Sequence, residues 1–352
     1  MMQLAQEDNV EELKLAFVDK MPSPATFGPD ILVIYDQVLE KKHKAWIQKF
    51  KYRYPVKAGE SLKNLDKFPQ HVAKISKLIG HLPVRNLTVL AVGGGSVGDF
   101  AGFFASVYKR GVKLIHLPST WLAAIDSAHG GKNALNVGKT KNQIGTFYNP
   151  TEIYLCQDLL FSQPVVRAHE AFAEIFKIAL LTGEDFWRQF SEIQDCDHNH
   201  LWKFLGTAIE AKYRVVAEDP YEETGYRHLL NFGHTFGHVV ELTHGMPHGI
   251  AVNVGLHFAL LWSVEKKYLS TQDYHKIINS PAGKWLMSVE PFVGAKFLKS
   301  YLPLLEKDKK KASSQSVRFI FLREPGSPII EPISLKEFEK FYLKLLQKFA
   351  RD

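Results

Sequence analysis

Apolar positions in the first half of the chain fall into short unbroken runs separated by stretches with helical spacing. Residues 31–35 (ILVIY), 87–92 (LTVLAV), 113–117 (KLIHL) and 153–155 (IYL) read as strands. The run at 87–92 has no polar face except Thr88 and reads as a buried parallel strand. Residues 62–79 carry Leu62, Leu65, Val72, Ile75 and Ile79 at helical spacing, with a break expected at Pro69. After about Pro164 helical periodicity dominates, over 168–181, 201–218, 229–242 and 250–267. Strand-like runs return only at 316–322 (SVRFIFL). The pattern predicts an α/β domain over residues 1–163 and a mostly α-helical domain over 164–352, without internal repeats.

Composition changes this picture little. Of 352 residues, 45% are hydrophobic and 23% charged, as in an ordinary globular protein. The net charge of +7 suits an enzyme for anionic substrates or a nucleic-acid binder. Positive charge is spread along the chain, with a tight cluster only at residues 307–311, and no zinc-finger or RNA-binding signature accompanies it. Nucleic acid is therefore disfavoured as a partner. The two cysteines, Cys156 and Cys196, sit in no CxxC pattern and suggest a reducing compartment. The first residues, MMQLAQEDNVEELKL, lack the apolar core of a secretory signal. The longest apolar stretch, 250–264, is interrupted by Asn253 and His257 and is too short to span a bilayer. A cytoplasmic protein with no membrane partner is expected.

Candidate chemistry concentrates in a few stretches. Residues 227–248 (RHLLNFGHTFGHVVELTHGMPH) hold five histidines, His228, His234, His238, His244 and His248. On a helix His234 and His238 share one face, as in divalent-metal sites, although core histidines can be spaced the same way. His248 returns after a break at Gly245 and Pro247. Gly233 and Gly237, costly inside a helix, imply that something approaches the backbone closely. The strand at 87–92 runs into GGGSVGD, where Gly93, Gly94 and Gly95 lead into a helix. Such a turn is either a phosphate cradle at a helix N-terminus or simply a tight turn. Asp36 at a strand end, and Glu60 and Lys63 at the turn into the 62–79 segment, are further polar candidates. Residues 126–136 (DSAHGGKNALN) and 139–150 (KTKNQIGTFYNP) read as polar, glycine-bearing loops offering Lys132, Lys141 and Asn142 to an anion. Glu174 and Lys177, three apart within EAFAEIFKIAL, form a charged pair on a helix that is otherwise apolar nearly all round. With two histidines, Glu174 would complete a two-His, one-carboxylate set.

Seven ordered blocks, GGGSVGD, YKRGVKLIHLPST, DSAHGGKNALN, KNQIGTFYNP, AEIFK, RHLLNFGHTFGH and PHG, extend the argument over roughly residues 55–325. In them the chain resembles the 3-dehydroquinate synthases, within the wider sugar-phosphate cyclase family. The resemblance implies a Rossmann-like NAD-binding α/β domain, a helical metal- and substrate-binding domain, and an active site in the cleft. It implies that Glu174, His234 and His248 hold zinc or cobalt. NAD would meet Gly93, Gly94, Gly95, Asp99, Glu60, Lys63, Ser119 and Thr120, with Asp36 as a further ribose contact. The implied substrate is 3-deoxy-D-arabino-heptulosonate 7-phosphate, converted to 3-dehydroquinate and phosphate in the shikimate pathway of aromatic amino-acid biosynthesis. Its phosphate would meet Lys132, Asn142, His238, one of Lys309 or Lys310, and Arg110 from the other subunit of a homodimer. Its carboxylate would meet Arg227 and Lys212. Asp126, Lys177, Glu223 and Asn231 would contact hydroxyl groups, with Lys141 in the same pocket.

The family also holds cyclases whose substrates lack a carboxylate. Arg227, Lys212 and Asn231 are all present here, which favours an acid substrate. Another sugar-phosphate cyclase, or a metal-dependent polyol dehydrogenase, is the alternative. Three positions and one segment depart from the family pattern. Ile250 stands where a glutamate usually follows His248-Gly249, Asn133 stands for a threonine after Lys132, Ala171 stands for a glycine, and the segment at 219–224 (DPYEET) is one residue longer.

Overall fold

The computed structural model describes residues 2–4, 13–311 and 316–350, with backbone alone at 2–4, 184 and 307–311. The chain divides into two compact units, Met1–Arg167 and Ala168–Asp352.

The first unit is built on a seven-stranded sheet. Its strands are β1 (Met2–Leu4), β2 (Leu13–Val18), β3 (Asp30–Asp36), β4 (Tyr52–Val56), β5 (Leu87–Gly93) and β6 (Lys113–Pro118), with a later strand, Glu152–Cys156, inserted between β2 and β6. All neighbours pair in parallel except β1, which runs antiparallel at the edge. Alternation along β3 explains the layering. Leu32 and Ile34 pack on one face, against α2 (Phe68–Ile79) and α3 (Gly95–Val107). Val33 and Tyr35 pack on the other, with Trp46 and Ile47 of α1 (Glu40–Ile47). β5 is buried at every position, as the sequence predicts for a central parallel strand. Pro69 does not break the helix expected at 62–79. It lies in the first turn of α2, where a missing N–H costs nothing, and residues 60–67 form two 3-10 turns instead.

The segments read as loops at 126–136 and 139–150 also differ from expectation. They contain β7 (Lys132–Val137) and β8 (Thr140–Phe147), an antiparallel hairpin turning at Gly138 with φ of 57°. The strand inserted between β2 and β6 is then β9 (Glu152–Cys156), followed by α4 (Gln157–Phe161). β8 is exposed almost throughout, so no apolar alternation marks it in the sequence.

The second unit is mostly helical: α5 (Val166–Thr182), α6 (Glu184–Phe190), α7 (His198–Ala217), α8 (His234–His244), α9 (His248–Glu265), α10 (Thr271–Asn279), α11 (Ala295–Lys311) and α12 (Leu335–Phe349). A hairpin of β10 (Val317–Leu322) and β11 (Pro328–Ile333) precedes α12. Its core is aromatic. Trp262 of α9 stacks on Phe341 of α12 at 4.9 Å, and Phe236 of α8 stacks on Phe258 of α9 at 3.9 Å. The single helix expected over 229–242 is two elements. Residues Tyr226–Asn231 make a 3-10 turn, Gly233 turns left-handed at φ of 79°, and α8 begins only at His234.

Candidate active site

Three elements of the second unit place its polar residues. Helix α8 ends at Gly245, left-handed at φ of 65°, and Pro247 precedes α9. The chain therefore folds back and sets His248, first residue of α9, beside His234 and His238. The ring centres lie 5.4 Å apart for His234 and His238, 5.3 Å for His234 and His248, and 5.7 Å for His238 and His248. The glycines flanking His234 make room for α9 itself. A Cβ on Gly233 would lie 2.8 Å from the Leu256 backbone, and one on Gly237 3.0 Å from Ala251 and Val252. Gly249 does the same for α5, because a Cβ there would fall 1.7 Å from the Glu170 carbonyl oxygen. That close approach brings Glu174 to the histidines.

Glu174 Oε1 stands 3.5 Å from His234 Nε2 and 3.7 Å from His248 Nε2. It is buried and has no hydrogen-bond partner among the described residues, while Oε2 accepts from Lys177 at 2.5 Å. A lone carboxylate oxygen in that position is costly unless a cation completes it. His238 also offers a nitrogen within 4.8 Å of those of His234 and His248. Burial, aided by the charge of Lys177 and by His238 and His248, pushes His234 well below the ordinary imidazole range. Its ring is thus neutral, the form that ligates metals. These residues fit a divalent ion. Of the remaining histidines in the stretch, His244 pairs with Tyr301 and His228 lies beside Asn231.

Elsewhere in this unit Lys212 on α7 and Arg227 are buried. Arg227 donates from its guanidinium to the Pro220 carbonyl at 2.7 Å. Glu223 and Asn231 are exposed. Lys309 and Lys310 fall on the final turn of α11, where side chains are outside the described residues. The sequence reading passed over Asp219, which organises this loop. Its carboxylate accepts from the backbone amides of Glu223, Thr224, Gly225 and Arg227 at 2.8 to 3.2 Å. An aspartate just after a helix, followed by polar residues, was the available signal. Burial works to raise its pKa, but the amides of Arg227, Thr224 and Glu223 and the Thr224 hydroxyl outweigh it and hold the carboxyl at about 2. The folded value is below the unfolded one, so this contribution to stability is complete above about pH 4 and is lost as pH falls towards 2. Asp219→Asn should remove that part of the acid dependence, which melting temperatures recorded between pH 5 and 2 would show. Identical profiles for both proteins would refute it.

In the first unit Gly93 ends β5, and Gly94 precedes α3 without a side-chain cap. The first amides of α3 and its positive dipole end are thus available to an anion. Ser119 donates its amide to the Gly93 carbonyl at 2.9 Å, and a Cβ on Gly94 would come within 3.1 Å of Thr120. Gly93, Gly94, Gly95, Ser119 and Thr120 are therefore neighbours, and the arrangement fits a dinucleotide pyrophosphate. Beside it runs a polar chain. Lys63 pairs with Asp99 at 2.5 Å and donates to Asn142 at 2.6 Å. Asn142, with φ of 53°, donates its amide to Asn136 Oδ1, and Asn136 donates to Glu60. Asn142 thus joins Lys63 in the hydrogen bonding, and Asn136 is a member that the sequence reading missed. Burial pushes the Asp99 carboxyl up against the opposing pull of Lys63.

Asp126 lies in a π-helical turn, Lys132 and Lys141 are exposed on the hairpin, and Arg110 is left-handed with φ of 68°. Asp36 caps the turn after β3 by accepting from the Val38 amide. Asn133, one of the departures, is buried against Gly102 of α3 and donates to the carbonyls of Gly131 and Tyr148. It ties the two ends of the hairpin together next to Lys132.

Comparison with known proteins completes the assignment. The chain is 34% identical over 312 residues to the 3-dehydroquinate synthase of Staphylococcus carnosus, covering 85% of this chain and 82% of that one. Among solved structures, 2-epi-5-epi-valiolone synthase from Streptomyces hygroscopicus subsp. jinggangensis, with NAD+ and Zn2+ bound, superposes with a TM-score of 0.82 at 19% identity and full coverage of both chains. A 2-deoxy-scyllo-inosose synthase, in complex with carbaglucose-6-phosphate, NAD+ and Co2+, gives 0.79 at 23% identity, covering 97% of this chain and 98% of that one. Those two share the fold. Residues 53–170 match the N-terminal model of 3-dehydroquinate synthase and residues 171–311 the C-terminal model, so the chain belongs to the 3-dehydroquinate synthase family.

Proposed function

We propose that this chain is the lyase converting 3-deoxy-D-arabino-heptulosonate 7-phosphate to 3-dehydroquinate and phosphate in the shikimate pathway. It uses NAD, recycled in each turnover, and one divalent ion, zinc or cobalt. The observation that carries this reading is Glu174 Oε1, buried and unpartnered between the Nε2 atoms of His234 and His248. Those three residues would hold the ion, and Gly93, Gly94, Gly95, Glu60, Lys63, Asp99, Ser119 and Thr120 would hold NAD. When bound, the ion lowers the pKa of the substrate alcohol and NAD carries its hydride away and back.

The side chains supply the rest. Lys177, ion-paired with Glu174, would donate to a substrate hydroxyl, Asp126 and Glu223 would accept from hydroxyls, and Asn231 would do either. Arg227 and Lys212 bind the carboxylate, the guanidinium through two parallel hydrogen bonds. By the family assignment Lys132, Asn142, His238, one of Lys309 or Lys310, and Arg110 from the other copy in a homodimer would meet the phosphate, with Lys141 in the same pocket, and the lysines and arginine would balance its charge as it is eliminated. His238 moves a proton beside the departing phosphate. Ring closure is intramolecular, so holding one flexible molecule in register accounts for much of its rate.

Cys156 and Cys196 are free and buried, with burial raising their thiols to about 11 and about 12. Unreactive free thiols support a cytoplasmic location. No helix among the described residues is long and apolar enough to cross a membrane.

The test is phosphate release from the heptulosonate phosphate with catalytic NAD and added zinc or cobalt. Release that needs both, without net NADH, is expected. Accumulating NADH would replace this reading with a polyol dehydrogenase. Turnover confined to sugar phosphates without a carboxylate would replace it with another cyclase.

A further inference from the structure

The two histidines facing Glu174 are oriented by different partners. His234 Nδ1 meets the Phe232 carbonyl at 3.2 Å, and its side chain is only 10% exposed, so packing holds the ring. His248 is 35% exposed and has less packing to hold it, but its Nδ1 lies 2.8 Å from Glu241 Oε2. Glu241 reaches it because His234, His238 and Glu241 follow at intervals of four and three on α8 and share one face. An ionised carboxylate only accepts hydrogen bonds, so it keeps the His248 proton on Nδ1 and leaves the Nε2 lone pair towards Glu174.

We propose that Glu241 is the positioning residue for His248. It fixes tautomer and ring orientation and, through its charge, raises the basicity of Nε2 as a metal ligand. This rests on the assignment of His248 to the ion. The carboxylate common in the family two residues after this histidine is Ile250 here, half-buried on α9. Glu241, from the neighbouring helix, meets His248 on its Nδ1 side. A single half-buried glutamate on a helix carries no such signal in the sequence.

The test is cobalt binding to the whole metal-free protein, followed by visible absorption and by competition with a chelator. Glu241→Ala should weaken binding on the order of 10- to 100-fold and change the cobalt spectrum. Glu241→Gln keeps an acceptor for the Nδ1 proton but not the charge, and should recover part of the loss. The metal-free melting temperature and NAD binding should stay at their original values in both. Cobalt affinity and spectrum unchanged in Glu241→Ala would overturn the proposal. So would equal losses in both variants together with a lowered metal-free melting temperature, which mark a structural role. Absence of cobalt binding by the unsubstituted protein would instead remove the metal assignment on which the proposal stands.

Discussion

His234→Ala should lower turnover by at least about 10³-fold, because a bound ion contributes several kcal/mol of charge stabilisation at the reacting oxygen. The ring supplies one of two Nε2 atoms facing Glu174 Oε1, so its loss leaves an incomplete site. The fold should survive. His234 begins α8, the preceding left-handed turn is made by Gly233, and alanine suits a helix better than histidine. The discriminating measurements are metal content by elemental analysis, single-turnover phosphate release, and NAD binding by fluorescence. Metal content and phosphate release should fall together, and NAD affinity should not change. A variant that keeps its metal and its turnover would remove His234 from the ligand set.

Lys177→Met should destabilise the metal-free protein by about 3–5 kcal/mol. Lys177 and Glu174 are 2% and 1% exposed and paired at 2.5 Å, so removing the ammonium leaves a buried carboxylate with no counter-charge. For the unit Ala168–Asp352 that corresponds to a fall of roughly 6–20 °C in melting temperature. Two further measurements make the cause legible. Added zinc or cobalt should recover most of the loss, because the ion supplies positive charge to the same carboxylate. The double substitution Glu174→Leu with Lys177→Met should sit near the original stability or above it, since neither charge is then buried. A double variant as unstable as the single one would show that packing, not charge pairing, is at stake.

The polar side chains that orient the candidate ligands were less legible than the ligands. Glu174 and Lys177 stood out because charge on an all-apolar helix is rare, and His234 and His238 because their spacing is visible. Asn136, Asp219 and Glu241 did not. Each is an ordinary polar residue whose role is a hydrogen bond to a group several or many positions away. The glycines beside His234 were correctly read as a sign of close approach, but what approaches is helix α9. The hairpin of β7 and β8 was read as loop because β8 buries almost nothing.

By itself the sequence determined the alternation of strand and helix in the first unit, the helical second unit, and the ordered motifs that place the chain in its family. Those features are local, written in apolar period and in runs of adjacent residues. Tertiary structure decided that Pro69 opens a helix, that Gly233 splits one, and that Gly249 lets α5 bring Glu174 to the histidines. These depend on which backbone lies against which, and that is settled only when long-range packing outweighs local preference.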